Sequence, residues 1–222
     1  GATGGLGRAL IRRLIRNGCR HFLLTSRNEP KSPVQKEWDD LQNQNIQILF
    51  HAADISDYDD VNRLLENCGT AVPELGAVYH LAGESNHSPL ATLSPAEYQR
   101  RTSAKIKGAS LLHEMTRSIE PDIFVMFSSI STLHGIANAG AYSAANGYLE
   151  ALSEMRRSQG LPSTCISWGP FSDCGMLKDD VQGHEQRESV GIHALNTDSA
   201  LTLLESIPQS APVLHATAND WP

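Results

Sequence analysis

An α/β fold, with a doubly wound and mostly parallel sheet covered by helices on both faces, is predicted for this 222-residue chain by three observations. Segments of strand pattern alternate with segments of helical periodicity along the whole sequence, an order that requires right-handed crossovers between parallel strands. A glycine-rich turn, Gly1-Ala2-Thr3-Gly4-Gly5-Leu6-Gly7, runs straight into the first helical segment. Distinctive small and polar residues fall where the strands end, the edge at which such sheets bind ligands.

The elements follow in order. Leu6, Leu10, Ile11, Leu14 and Ile15 recur at helical spacing with Arg8, Arg12, Arg13 and Arg16 opposite, and Asn17-Gly18 supplies the stop. Residues 21–25 read as a buried strand, 34–44 as a helix and 46–50 as the next strand. A helix is expected over 57–66 with Ser56 as its N-cap. Residues 76–81 form a strand that ends at Ala82-Gly83. One long helix is expected from Ser94 to Ser118, capped by Ser94 with Pro95 in its first turn. Residues 123–127 are strongly strand-like, 141–159 helical with Gly160 closing, and 163–168 a strand. A helix over 197–206 and a short strand over 212–216 complete the pattern.

Composition narrows the function. The formal charge of -7 and pI near 5.7 argue against a basic nucleic-acid surface. No apolar run approaches the roughly 20 residues that span a membrane, and no signal-peptide pattern is present. Cys19, Cys68, Cys165 and Cys174 lack metal or disulfide-framework spacing and read as free thiols in a reducing compartment. The nine histidines are scattered, so no metal site is expected. One domain is expected over residues 1–222, and the polar, glycine-bearing stretch 169–193 is its candidate substrate lid.

The opening loop has the chemistry of a phosphate cradle, because the helix behind it points unpaired N–H groups and a positive dipole end at a bound anion. A domain rarely starts inside such a turn, so the fold is expected to be N-terminally truncated, with its first strand missing. That leaves the neighbouring strands unpaired, and the chain is not expected to fold well alone. Ser26-Arg27, Asp54, Ala82-Gly83 and Ser128-Ser129 follow successive strands and are candidate ligand contacts.

On these residues the chain resembles the short-chain dehydrogenase/reductase superfamily, and within it the ketoreductase domains of modular polyketide synthases. Gly1-xxx-Gly5-x-Gly7 is similar to the superfamily's dinucleotide loop, His80-Leu81-Ala82-Gly83 to its strand-four signature, and Phe127-Ser128-Ser129 with Tyr142-xxx-Asn146 to its catalytic segments. Trp168-Gly169-Pro170 and Asp220-Trp221 extend the likeness over nearly the whole chain. Most of the superfamily reads Tyr-x-x-x-Lys. Here Asn146 stands at that place and Lys105, in Lys105-Ile-Lys-Gly108, supplies the lysine, the exchange seen in synthase ketoreductases.

The resemblance implies a Rossmann-like fold and reduction, with NADPH, of a β-ketoacyl thioester carried on the phosphopantetheine of an acyl carrier protein, in a cytoplasmic multifunctional enzyme. Catalytic roles fall on Ser129, Tyr142, Lys105 and Asn146. Cofactor contacts fall on Gly1, Thr3, Gly4, Gly5, Leu6, Gly7, Ser26, Arg27, Asp54, Ile55, Ala82, Gly83, Pro170 and Phe171, together with Tyr142 and Lys105. Arg27 suits a 2′-phosphate, which favours NADPH over NADH. Asp54 suits the adenine amino group and also a helix-opening cap. The Leu-Asp-Asp run of one stereochemical class is absent, Glu84-Ser85-Asn86-His87 standing in its region. His134 replaces the tryptophan of the other class, eight residues before Tyr142. The missing run leans towards the L-configured alcohol. A discrete reductase of small ketones and a non-catalytic dinucleotide-binding scaffold are the alternatives.

Overall fold

The computed structural model describes residues 1–84, 88–175, 185, 187–206 and 211–220. Its helices are α1 (Gly5–Arg16), α2 (Ser32–Gln42), α3 (Tyr58–Leu65), α4 (Pro95–Thr102), α5 (Ile106–Thr116), α6 (Ser131–His134), α7 (Gly140–Ser158) and α8 (Thr197–Ser206). Its strands are β1 (His21–Ser26), β2 (Gln47–Ala52), β3 (Ala77–His80), β4 (Ile123–Ser129), β5 (Thr164–Trp168), β6 (Ile192–His193), β7 (Val213–Ala216) and β8 (Ala218–Asn219). A 3₁₀ turn spans Leu90–Thr92.

The parallel sheet is divided. β3, β4, β5 and β7 pair in that order, while β1 and β2 form a separate parallel pair. Among the described residues, β1 pairs only with β2 and β3 only with β4. No ladder joins β1 to β3 among the described residues. β6 and β8 form a small antiparallel ribbon.

Alternation along β4 explains the two covered faces, because successive strand side chains point to opposite sides. Val125 and Phe127 pack with Leu10 of α1 and Leu201 of α8. Phe124 and Met126 pack with Leu112 of α5 and Leu149 of α7. A third cluster joins Ile11, Val34 and Trp38 to Phe22, Leu24 and Ile48 of the strand pair. Arg156 is an unexpected core cation. Its guanidinium lies 3.7 Å from the Phe124 ring centroid and donates to the Pro162 carbonyl at 3.0 and 3.2 Å. These contacts tie the end of α7 to the turn that feeds β5.

Two local expectations need correction. Residues 94–118 do not form one helix. The turn widens at Ser103–Lys105, where the Gly108 N–H reaches back to the Ser103 carbonyl at 2.9 Å, one residue further than in an α-helix. The N-cap of α3 is Asp57, which accepts the Asp60 N–H at 3.1 Å. Ser56 instead donates its N–H and hydroxyl to Asp54 at 2.9 and 2.7 Å, so Asp54 closes a side-chain turn ahead of the helix and does not cap it. The start of α4 is as expected, with a full capping box between Ser94 and Glu97. No described helix is long and apolar enough to cross a membrane.

Candidate active site

A cleft of about 1930 Å³ opens along the carboxyl ends of the strands and continues into the gap between β1 and β3. Every predicted site residue except Asn146 lines it. At one end lies the glycine loop, with Gly4 as the N-cap of α1 and no acidic residue in the helix's first turn. The loop folds back on itself so tightly that a Cβ on Gly7 would lie 2.3 Å from the Gly1 oxygen. Only glycine permits that approach. The open helix start and the small-residue cradle fit a dinucleotide's phosphates.

The four predicted catalytic residues converge from three elements. Ser129 ends β4, and its Oγ accepts the Ser131 N–H at 3.2 Å, which leaves its hydroxyl hydrogen to donate. Tyr142 lies in the first turn of α7, its ring centroid 6.0 Å from the Lys105 Nζ. Lys105 sits at the break between α4 and α5 and is only 6% exposed. Its Nζ donates to the Phe127 carbonyl at 2.7 Å. Burial draws its pKa down to about 8, since a desolvated cation is disfavoured. Gly83 makes room for this lysine: a Cβ there would lie 2.7 Å from the Lys105 Cε. Asn146 is fully buried one turn beyond Tyr142. Its Nδ2 donates to the Tyr142 carbonyl at 2.9 Å, while its Oδ1 has no hydrogen-bond partner. An orphaned buried acceptor of that kind is costly and suits a donor arriving in the site.

His80 completes the inner wall. Burial, then the nearby Lys105 charge, press its pKa down to about 3, so it stays neutral beside the cation.

At the far end, Arg27 is exposed after β1 and pairs with Glu84 at 2.7 Å. Glu84 also faces Arg100 at 3.5 Å. The Ser26 hydroxyl donates to the Asn28 carbonyl at 2.5 Å. Ile55 is buried, its side chain joining the core at the cleft wall. The Pro170 carbonyl accepts the Leu195 N–H at 2.7 Å, and Phe171 packs 5.6 Å from Trp168. These contacts anchor one end of the 169–193 stretch, and β6 pairing with β8 anchors the other. Residues 176–184 and 186 of that stretch, residues 85–87 and Trp221 lie outside the described residues.

Sequence reasoning missed Glu84 opposite Arg27, the Phe127 carbonyl beneath Lys105, and Glu150. The last had a signal in its spacing: it follows Asn146 by one turn on the same helix face.

A doubly wound parallel sheet with a glycine loop opening its first helix and a Ser–Tyr–Lys cluster at its strand ends defines the short-chain dehydrogenase/reductase class. The KR domain family model matches residues 1–173. Polyketide synthase GfsA of Streptomyces halstedii is 35% identical over 223 residues, covering 100% of this chain and 3% of GfsA. Erythronolide synthase EryA3 of Saccharopolyspora erythraea is 33% identical over 100% of this chain and 7% of its own length. Among solved structures, an A1-type ketoreductase superposes with a TM-score of 0.91 at 32% identity, covering 100% of this chain and 47% of the other. The first ketoreductase of the tylosin polyketide synthase gives 0.86 at 34% identity, covering 100% and 48%. The chain belongs to the KR domain family, the ketoreductase domains of modular polyketide synthases. Such domains are oxidoreductases that bind a nicotinamide dinucleotide.

Proposed function

We propose that residues 1–222 act as the catalytic domain of a polyketide synthase, reducing a carrier-bound β-ketoacyl thioester to the β-hydroxyacyl thioester with NADPH. The observation that carries this reading is the convergence of Ser129, Tyr142 and Lys105 on the same cleft as the glycine loop and Arg27. When bound, NADPH supplies the hydride. The loop of Gly1, Thr3, Gly4, Gly5, Leu6 and Gly7 would hold its phosphates, and Arg27 its 2′-phosphate, beside Ser26. Asp54 and Ile55 would flank the adenine, with Ala82, Gly83, Pro170 and Phe171 along the remaining wall.

Negative charge grows on the ketone oxygen as the carbonyl is reduced. The Ser129 hydroxyl donates to that oxygen, and Tyr142 delivers the proton. A free phenol has a pKa of about 10 and donates poorly at neutral pH. Lys105 answers this by favouring the phenolate that remains. Its seat on the Phe127 carbonyl leaves the other ammonium hydrogens available to the ribose and phenol. Asn146 holds the Tyr142 turn and offers Oδ1 to a proton-relay water. The other domains of the synthase and its acyl carrier protein are the partners, the 169–193 stretch is the candidate substrate lid, and the cytoplasm is the setting.

The test is NADPH oxidation by the domain within its synthase, on a β-ketoacyl thioester. Tyr142→Phe is expected to lower turnover by about 100-fold or more, the scale of a lost general acid, with NADPH binding retained. Turnover indifferent to Tyr142, or NADPH binding with no turnover on carrier-bound substrate, would overturn the reading.

A further inference from the structure

Glu150 lies on α7 two turns beyond Tyr142 and is half-buried outside the cleft. One of its oxygens, Oε1, accepts three hydroxyls from three different segments. Ser128 of β4 donates at 2.8 Å and Thr132 of α6 at 2.9 Å, and Ser167 of β5 also donates. Three donors on one carboxylate oxygen make a charge-assisted hub. An alanine or amide at this position cannot reproduce it.

The hub reaches two of the proposed catalytic residues through short covalent paths. Ser128 shares a planar peptide unit with the Phe127 carbonyl, so fixing Ser128 fixes the direction of that oxygen. The Phe127 oxygen is the seat of Lys105, at 2.7 Å. Thr132 divides its hydroxyl between Glu150 and the Ser129 carbonyl, the latter at 3.1 Å. Ser128 also approaches the Asn146 carbonyl at 3.4 Å. A single side chain thus joins the end of β4, the turn after it and β5 to the helix that carries Tyr142 and Asn146.

We propose that Glu150 is a positioning residue for the reduction: its grip on Ser128, Thr132 and Ser167 holds the Lys105 seat and the Ser129 turn in register with Tyr142. The inference rests on the catalytic reading above and adds a residue to it.

The experiment compares wild type, Glu150→Gln, Ser128→Ala and the double variant, in the domain within its synthase. It measures kcat, the NADPH dissociation constant, and the titration midpoint of Lys105 by ¹³C NMR at its ε-carbon. Glu150→Gln is expected to lower kcat about tenfold or more, as a slight misplacement of reacting groups does. NADPH affinity should stay within about twofold, and the Lys105 midpoint should move. The double variant should be little worse than Glu150→Gln alone, because both act along one path. Wild-type kcat in Glu150→Gln would overturn the proposal, as would a kcat loss matched by lost NADPH binding or effects that multiply independently. Should Glu150→Gln fail to fold, Ser128→Ala and Ser167→Ala each remove one grip and carry the same expectation. Should wild type itself not turn over, the catalytic reading fails, and an unmoved Lys105 midpoint in Glu150→Gln would separately dismiss the positioning role.

Discussion

Lys105 is a cation in a place that disfavours cations. Its pKa falls from 10.5 to about 8 because burial strips its water. Between those values the unfolded chain binds the proton and the native chain does not, so stability rises with pH across that window. Below about 8 the full penalty is present, about 3 kcal/mol by the usual conversion. Lys105→Met is therefore expected to abolish turnover yet stabilise the fold at pH 7 by about 1–2 kcal/mol, the Phe127 carbonyl's lost donor taking back part of the gain. The gain should shrink towards pH 10. Thermal unfolding of both proteins at the two pH values checks this, and a variant less stable at pH 7 would reject it. In wild type, turnover should fall as pH climbs through about 8. That Lys105 lines the site was implied by the family resemblance of its Lys-x-x-Gly segment. Its depth was not, because burial depends on Gly83 and on β4, both distant in sequence.

The break between α4 and α5 shows where element-level reading stops. Side-chain periodicity ran through the segment, and Pro95 with Ser94 fixed its start, so one helix was expected. Nothing in a hydrophobic pattern encodes a backbone that skips to a carbonyl five residues back. The tertiary reason is Gly108: a Cβ there would lie 2.8 Å from the Ile55 Cγ2, so α5 presses directly on the chain leaving β2. Gly108→Ala gains roughly 1 kcal/mol of helix propensity but overpacks a fully built contact at about 1–3 kcal/mol. A net destabilisation of about 1 kcal/mol is expected, with lowered kcat because α5 carries Lys105 away from its seat. Denaturant unfolding and kinetics on the same variant decide it, and a stabilised, fully active protein would refute it. Glu150 was missed for a related reason. A carboxylate on a helix reads as a solvated face until three hydroxyls arrive from elsewhere in the chain.

At the scale of the whole molecule, a parallel sheet with two covered faces was readable from alternation and spacing, while a shared site for glycine loop, serine, tyrosine and lysine was implied by the family resemblance. The short ribbon of β6 and β8 was not, since two-residue strands carry no period. The sheet has two parts, and the facing edges of β1 and β3 carry no strand partner among the described residues. Arg27 leaves the smaller part and Glu84 the larger, so their ion pair bridges the two across the cleft. If NADPH binds as proposed, with its 2′-phosphate on Arg27, its binding is a substitution of counter-ions, in which the phosphate must evict a carboxylate before it gains the guanidinium. Exposed pairs of this kind are worth about 1 kcal/mol at most. Glu84→Gln should accordingly tighten NADPH up to about fivefold and leave NADH, which lacks that phosphate, unchanged. Because one ion pair is exchanged for another, wild-type affinity should respond little to ionic strength, whereas the variant's should fall steeply as salt screens a bond with no rival. Titrations at low and high salt would read the difference directly: parallel slopes would mean that Glu84 never competes. Diverging slopes would make the same acidic residue the setting for how strongly the domain's occupancy follows the ionic conditions around it.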